Sequence, residues 1–499
     1  MDREAIFANL KQRMGRPTKE EILDGKIVPV LFKLAWPMMV ASLLQTAYNL
    51  VDTIWLGRLP GDEATLSVSA ISLAWPFVFL LLSVQLGLGT AAIAMISQHT
   101  GAKKYEEANH DTGQLFFLFI VLSIILGGVG FLVAEDFLNF LTGYGDMVPY
   151  ATDYLQVIFI GFPVLLTFAA FSFSLRAWGD TLTPTIVMAV SVLLNIVLDP
   201  LLIFGIGPFP RMEIQGAAVA TVLARSVGAA IAIYLLYAHK VGIRLKLSYL
   251  KPDFTKLKKF LAIGTPATLS RIEESVGFIV LTGLLAMLPN QEKVLAAYGI
   301  GGRVINITFV VLMGMMMSVS TMVGQALGSD NDTRAEKTTD KAMKIMVFFM
   351  IVISLLLVIF RYPIMNFFIP GETDVIQIGA MYLAILAIGG PFFGIYEAVS
   401  GALNGSGHTG QQFGLSMTRL WGLRIPMILI FAFVLALNST GAWMAIAFSN
   451  VGAGLAAYWV YKQGWWKEKI IDKESLLVPK FKKLLNIDEE KDGSVQNDK

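Results

Sequence analysis

Long apolar runs separated by short polar stretches recur along the whole chain. Twelve runs are long enough to cross a membrane, which takes about 20 apolar residues. They lie near 31–57, 66–97, 114–134, 152–176, 184–206, 215–238, 260–288, 295–325, 343–361, 375–402, 412–437 and 441–461. Because lipid cannot satisfy an irregular backbone, each run must be helical. The pattern predicts an all-α polytopic membrane protein with twelve transmembrane helices.

The two halves of the chain resemble each other. Segment 32–63 aligns with 260–292, so that Pro37 matches Pro266, and the offset stays nearly constant through the later matches. Six spans in each half give both copies the same orientation, related by an axis along the membrane normal. We therefore predict two pseudo-symmetric six-helix bundles that face each other across a central cavity.

Loop charge divides the chain further and orients it. Lys and Arg gather at one side of the predicted spans, together with both tails, which predicts cytoplasmic termini. The predicted parts are an N-terminal segment, an N-lobe with helices 1–6, a basic cytoplasmic linker, a C-lobe with helices 7–12 and a polar, solvated cytoplasmic tail. Their bounds are 1–30, 31–238, 239–259, 260–462 and 463–499.

Composition removes several classes of function. The chain is 55% hydrophobic and only 15% charged, whereas soluble proteins carry about 25% charged residues. A net charge of +2 gives no sign of a nucleic-acid partner, and the absence of cysteine excludes disulfides and thiol catalysis. The four histidines lie in or beside predicted loops, and no phosphate-binding glycine loop occurs. We expect no enzyme activity, no cofactor and no direct use of ATP.

The first span carries a polar stripe inside an apolar helix. Gln45, Tyr48, Asn49 and Asp52 are spaced three to four residues apart and so share one face. Pro37 removes a backbone donor and weakens the helix at that point. The stripe predicts a bendable helix with an acidic face, although an aspartate at the end of a span could also simply reach water.

Span five adds a second polar set. Asn195 and Asp199 are four residues apart, and Pro200 frees a backbone carbonyl one turn earlier. With Thr221 of span six, these oxygens suit a small hard cation such as Na+. Two carboxylates in a poorly solvated pocket cannot both ionise freely, so Asp52 and Asp199 could also carry a proton. The alternative is that these groups bond to one another and join helices.

The C-terminal half has its own acids. Glu273 and Glu274 lie deep in span seven, and Glu397 lies in span ten. They could form a structural ion-pair network with arginines such as Arg303 or Arg419. They could instead form a second cation site or an anchor for cationic substrates.

Several segments together resemble one known family over roughly residues 30–462. They are LAWPMM and VDTIWLGRL in span one, ISQHTGAKKYEEA after span two, RAWGDTLTPTIV before span five, NIVLDPLLIFG within it and GAAVAT in span six. The chain resembles the multidrug and toxic compound extrusion (MATE) transporters. The resemblance implies a V-shaped pair of bundles that exports cationic or amphipathic compounds by alternating access, in exchange for protons or sodium.

The resemblance also assigns residues. It implies an N-lobe cation site at Asp52, Asn195, Asp199 and Thr221, with bending of helix 1 near Pro37. Other members of the family place the essential acid eight residues after the proline of span seven, where Glu274 stands here, and have a further acid in span ten, where Glu397 is a looser match.

We expect an antiporter of the plasma membrane that acts as a monomer in contact with lipid and takes small amphipathic or cationic substrates. The alternative is a lipid or lipid-linked oligosaccharide flippase of the same superfamily. A flippase cavity should be rich in Arg and Lys, whereas the charged cavity candidates in this sequence are mostly acids.

Overall fold

The computed structural model describes residues 16–142 and 145–472, and these residues form helices and connections without a strand. Twelve long helices follow in chain order. They are α1 (Ile27–Leu56), α2 (Asp62–Gly101), α3 (Tyr105–Thr142), α4 (Val148–Trp178), α5 (Leu182–Phe204), α6 (Glu213–Tyr237), α7 (Phe254–Ala286), α8 (Gln291–Gly328), α9 (Asp332–Phe368), α10 (Thr373–Ser406), α11 (Thr409–Val434) and α12 (Asn438–Lys462). Helices α1–α6 form the N-lobe and α7–α12 the C-lobe. The predicted all-α membrane fold is confirmed.

Eleven helices of the described chain are long and apolar enough to cross a membrane by composition. The remaining long helix is α7, which spans 33 residues and carries Arg271, Glu273 and Glu274 in its middle. Charged side chains in a span are costly unless they are paired or face a cavity. Partners in neighbouring helices, described below, explain how α7 tolerates them.

Several helices extend beyond the apolar runs that predicted them. Helix α9 begins at Asp332 and ends at Phe368, whereas the apolar run suggested 343–361. The side chain of Asn331 accepts a hydrogen bond from Arg334 N and so caps the polar first turn. Hydropathy marks the part of a helix in the hydrocarbon, while backbone hydrogen bonding continues outside it.

Both described chain ends lie at the same end of the molecule. We call this the basic end; it includes the connections 102–104 and 238–253. Arg16 forms an ion pair of 2.7 Å with Asp180 at this end, and Lys469 pairs there with Asp330.

The first residues of the tail are packed, which differs from the expectation of a solvated tail. Trp466 and Ile470 are almost fully buried, and Ile470 N donates to Gln98 Oε1 at 3.1 Å. Their apolar side chains outweigh the charged neighbours that suggested solvation. The rest of the predicted tail, 473–499, and the first residues, 1–15, lie outside the described residues.

Helices α1 and α7 each pass from one lobe to the other. The first part of α1, from Ile27 to Met38, packs in a core with C-lobe helices, whereas Tyr48 and Leu56 belong to the N-lobe core. In α7, the first part packs in the N-lobe core and the later part in the C-lobe. Pro37 and Pro266 lie close to these two transitions.

The lobes are joined at the basic end by two related glutamines. Gln98 Nε2 donates to the carbonyl oxygens of Gly405 at 3.3 Å and Ser406 at 3.2 Å. In the other direction, Gln325 Nε2 donates to the carbonyl oxygen of Ala177 at 2.9 Å. All these groups are buried, so the hydrogen bonds hold the basic end closed.

Glycines allow this close approach. A Cβ atom added at Gly101 would collide with the carbonyl of Gln325, and one added at Gly328 would collide with the carbonyl of Gln98. The helix ends therefore meet backbone to backbone on both sides of the pseudo-twofold axis.

Candidate functional site

The predicted N-lobe residues come together from three helices. Helix α1 supplies Tyr48 and Asp52, α5 supplies Asn195 and Asp199, and α6 supplies Thr221, all with less than a tenth of their surface exposed. Asn195 Nδ2 donates to Asp199 Oδ1 at 2.9 Å, and the Tyr48 hydroxyl donates to Thr221 Oγ1. The carboxyl groups of Asp52 and Asp199 lie close enough to interact directly.

Within the part of the chain that the structure describes, three oxygens of this cluster have no hydrogen-bond partner. They are Asp52 Oδ1, Asn195 Oδ1 and Asp199 Oδ2, and each is buried. Buried polar atoms are nearly always paired, so an orphaned set needs an explanation. Carboxylate and amide oxygens are hard ligands, and together they fit a small cation or a shared proton.

Arg225 of α6 lies near Asp52, and sequence reasoning missed it. Its guanidinium is in electrostatic range of the Asp52 carboxylate and lies 5.4 Å from the centroid of the Tyr48 ring, and the residue is 8% exposed. Arg225 follows Thr221 by four residues in an apolar span, which was a usable signal. Two carboxylates and one guanidinium carry a net charge of −1, which one bound cation would neutralise.

The rest of the predicted stripe connects to this arginine. Arg225 Nη2 donates to Gln45 Oε1 at 2.7 Å, and Gln45 Nε2 donates to Asn49 Oδ1 at 3.2 Å. Tyr154 of α4 also lies near both acids. Sequence reasoning missed Tyr154, because tyrosines are common near membrane surfaces.

The two predicted helix-bend prolines lie inside continuous helices. Pro37 is inside α1 and Pro200 inside α5, where it directly follows Asp199. The hydroxyl of Thr185 lies 3.0 Å from the carbonyl oxygen of Pro37. Helix α5 thus contacts α1 at the point where α1 lacks a backbone donor.

The C-lobe acids are largely engaged by partners. Glu274 pairs with Arg419 at 2.6 Å and with Arg271 at 3.6 Å, and Glu273 accepts a hydrogen bond from Ser416. Glu397 lies within Coulombic range of the same two arginines. This geometry favours the ion-pair network over a free cation site, and a coupling role for these acids stays a prediction.

A wide-turn segment in α11 shapes this lobe. Residues Thr418–Arg424 are π-helical, with Ile425 N bonding to Leu420 O five residues earlier. Arg419 and Arg424 are therefore one turn apart and share a face, whereas in an α-helix they would point about 140° apart. Sequence reasoning assumed α-helical spacing and missed Arg424.

Both arginines line a cavity of about 340 Å³ within the C-lobe. Tyr298, Tyr382 and Phe393 form part of its wall, and Arg303 also lines it. Its described lining includes no carboxylate. The expectation that the charged cavity residues are mostly acids is wrong for this cavity, because its charged lining residues are Arg303, Arg419 and Arg424, whereas Glu273 and Glu274 are held by Ser416 and Arg419 and do not reach the lining.

Comparison with known proteins identifies the family. A model of the family MatE matches the chain twice, over residues 37–201 and 266–430, and each match begins at one of the paired prolines. The chain belongs to the MATE family. The expectation of a transporter rather than an enzyme is thereby confirmed, as is a multi-pass membrane protein with small-molecule substrates.

Relatives match the chain over most of its length. An FAD transporter of Shewanella oneidensis is 26% identical over 442 residues, which is 88% of this chain and 95% of that protein. The probable multidrug resistance protein NorM of Thermotoga maritima is 26% identical over 454 residues, or 91% of this chain and 96% of that protein. A crystal structure of MATE in complex with MaL6 has a TM-score of 0.82 at 22% identity, covering 90% of this chain and 98% of that chain. This structural likeness shows the MATE fold.

Proposed function

We propose that this MATE protein is a secondary antiporter that exports amphipathic organic compounds, cationic drugs among them, in exchange for protons or sodium. We place it in the plasma membrane as a monomer, with the basic end in the cytoplasm because Lys and Arg collect there. The names of its relatives, which include an FAD transporter and a multidrug resistance protein, support small organic substrates.

The charge balance of the N-lobe cluster carries the proposal. Asp52 and Asp199 contribute two negative charges and Arg225 one positive charge, all in a buried setting. A charge left unbalanced in the hydrocarbon region is costly, so the cluster is stabilised by taking up one cation. The orphaned oxygens of Asp52, Asn195 and Asp199 provide its ligands. Thr221 completes the set from α6.

Coupling then requires that cation binding alter the relation between the lobes. Helix α1 carries Asp52 beyond Pro37, while its first part packs with the C-lobe. When the cation binds, the part of α1 beyond Pro37 reorganises toward Asp199, and the missing backbone hydrogen bond lets the helix bend there. Bending changes how the first part of α1 packs on the C-lobe and so favours a different lobe arrangement.

The decisive experiment is efflux from proteoliposomes loaded with a fluorescent organic cation, under an imposed pH or sodium gradient. Asp52→Asn keeps the shape but removes the charge, so we expect gradient-driven efflux to fall at least about 10-fold. Asp374→Asn is the matched control, because Asp374 is exposed and, among the described residues, forms an ion pair only with Lys293. Undiminished efflux in Asp52→Asn would refute the N-lobe site. Loss in Glu274→Gln alone would move the site to the C-lobe.

A lipid or lipid-linked oligosaccharide flippase is the second candidate function. One observation favours it, namely the three arginines that line the C-lobe cavity. Reconstitution with a fluorescent anionic lipid tests it: flipping that depends on Arg424 but not on Asp52 would select the flippase.

A further inference from the structure

The C-lobe cavity contains more positive charge than its surroundings neutralise. Arg424 is 4% exposed, and its Nε and Nη2 donate to Ser449 Oγ at 2.9 Å and Asn450 Oδ1 at 2.7 Å. Both acceptors are neutral, and Arg424 forms no ion pair within the described residues. Glu274 is in electrostatic range of Arg424, but its carboxylate already pairs with Arg419 and Arg271. A buried guanidinium that is only partly neutralised is disfavoured, so Arg424 favours the binding of an anion.

The two other arginines add to this charge. Arg419 is also 4% exposed, shares Glu274 with Arg271 and lies in electrostatic range of Glu397. Its Nε has no hydrogen-bond partner among the described residues. Arg303 is exposed on the cavity lining and forms no ion pair among the residues described. Guanidinium groups bind carboxylate, sulfonate and phosphate oxygens in a planar, two-pronged geometry.

The rest of the wall is mostly aromatic and apolar, with Asn306, Ser354 and Asn450 among its few polar side chains. The Tyr382 ring lies 4.5 Å from that of Trp443 and 5.8 Å from that of Tyr298, centroid to centroid. Beyond them, Thr308 and Ile353 are shared with an apolar groove between α8 and α9. Such walls bind flat or chain-like apolar bodies, while a few polar groups fix their orientation.

We propose that this cavity binds an amphipathic organic anion, with its anionic group held by Arg424 and Arg303 and its apolar body against Tyr298, Tyr382 and Phe393. This proposal extends the proposed function by adding organic anions to the substrate range. It rests on the proposed function only in treating the bound anion as a transported substrate. The anion could be a soluble organic compound or a membrane lipid, since both present the same chemistry.

Binding is tested by calorimetry on the full-length protein in phosphatidylcholine nanodiscs, with empty discs as blanks. The probes are naphthalene-2-sulfonate and the neutral naphthalene-2-methanol. Because hydrogen bonds to charged groups contribute about tenfold or more in affinity, we expect the sulfonate to bind at least about 10-fold more tightly. Arg424→Gln and Arg303→Gln should each remove most of this preference. Arg361→Gln, a surface arginine outside the cavity, should leave it unchanged.

Binding of the neutral probe shows whether a variant is still folded. The Arg424 variant loses hydrogen bonds to Ser449 and Asn450 and could be destabilised. The Arg303 variant carries less risk, because Arg303 forms no hydrogen bond or ion pair among the described residues. The site is supported if the variants still bind naphthalene-2-methanol but no longer prefer naphthalene-2-sulfonate. Equal affinities for both probes in the native protein, or a preference that survives both substitutions, would overturn it. No ion gradient is applied, so a failure of ion coupling leaves this result unaffected.

A second set of discs identifies the source of the ligand. If phosphatidylglycerol in the disc abolishes sulfonate binding, the site exists and an anionic lipid fills it. If sulfonate binding persists, the site exists and selects soluble amphipathic anions.

Discussion

Replacing Gln98 with alanine should open the basic end of the transporter. Gln98 is fully buried and makes three hydrogen bonds with the C-lobe and the C-terminal segment, to Gly405 O, Ser406 O and from Ile470 N. Alanine removes all three and leaves buried backbone groups without partners. These bonds exist only while the lobes are in contact, so their loss acts directly on the equilibrium between lobe arrangements.

The size of the effect follows from the number of bonds. A hydrogen bond contributes about 0.5–1.5 kcal/mol net, so three contribute about 1.5–4.5 kcal/mol. That energy shifts the ratio of closed to open molecules roughly 10- to 2,000-fold. Gln325→Ala loses one bond across the lobes, to Ala177 O, and should shift the ratio about 2- to 12-fold.

Spin labels measure this ratio, and the absence of native cysteine makes labelling specific. We would label Lys104→Cys and Asp332→Cys, which lie on different lobes at the basic end, and record distance distributions by electron paramagnetic resonance. The matched control is Gln412→Ala, because Gln412 bonds Ser400 and Tyr396 within one lobe. If the distance distribution of Gln98→Ala is identical to that of the control, the hydrogen bonds of Gln98 do not keep the basic end closed.

Two further predictions concern the same end of the molecule. Gly101→Ala should push the lobes apart in the same spin-label assay, because its Cβ meets the carbonyl of Gln325, whereas Gly128→Ala should have no effect since nothing lies within 4 Å. Equal behaviour of the two variants would contradict the close packing. The hydrogen bond from Lys33 holds the pKa of Glu21 below its ordinary value of 4.5. Docking of the Lys19–Asp24 helix is therefore favoured above about pH 4.5 and weakens as the pH falls through the folded pKa. Limited proteolysis across this range should show release in the native protein and a flat profile in Glu21→Gln.

The sequence allowed prediction of the helices and the N-lobe acids for clear physical reasons. Apolar runs of membrane length have few alternatives to a helix, and a carboxylate such as Asp52 stands out within one. The position of Arg424 could not be predicted, because a π-helical turn changes which residues share a face. The role of Gln98 was equally hidden, since a polar residue at a helix end is ordinary until its partner in the other lobe is known.

The repeat shows why the two lobes differ in chemistry. Under the alignment of Pro37 with Pro266, the counterpart of Asp52 is Leu281, which is 1% exposed. Under the alignment of Pro200 with Pro426, the counterpart of Asp199 is Ile425, directly after Arg424. Both acids of the N-lobe cluster thus have apolar counterparts. The same framework places two carboxylates in the N-lobe cluster and apolar side chains at the matching C-lobe positions, one of them directly after Arg424.

Under the ion coupling that we propose, this asymmetry would assign the coupling step to helix α1. Both Pro37 and Pro266 lie close to where a helix passes between lobes, so either helix can bend as the lobes move. Only α1 carries a carboxylate of the balanced cluster beyond its proline, while the counterpart in α7 is apolar. In that scheme, cation binding at Asp52 and Asp199 stabilises one bend angle of α1, whereas the acids beyond Pro266 in α7, Glu273 and Glu274, are held by Ser416 and Arg419. We accordingly expect substitutions at Pro37 to change the dependence of transport on the ion gradient, and substitutions at Pro266 to change its rate without changing that dependence.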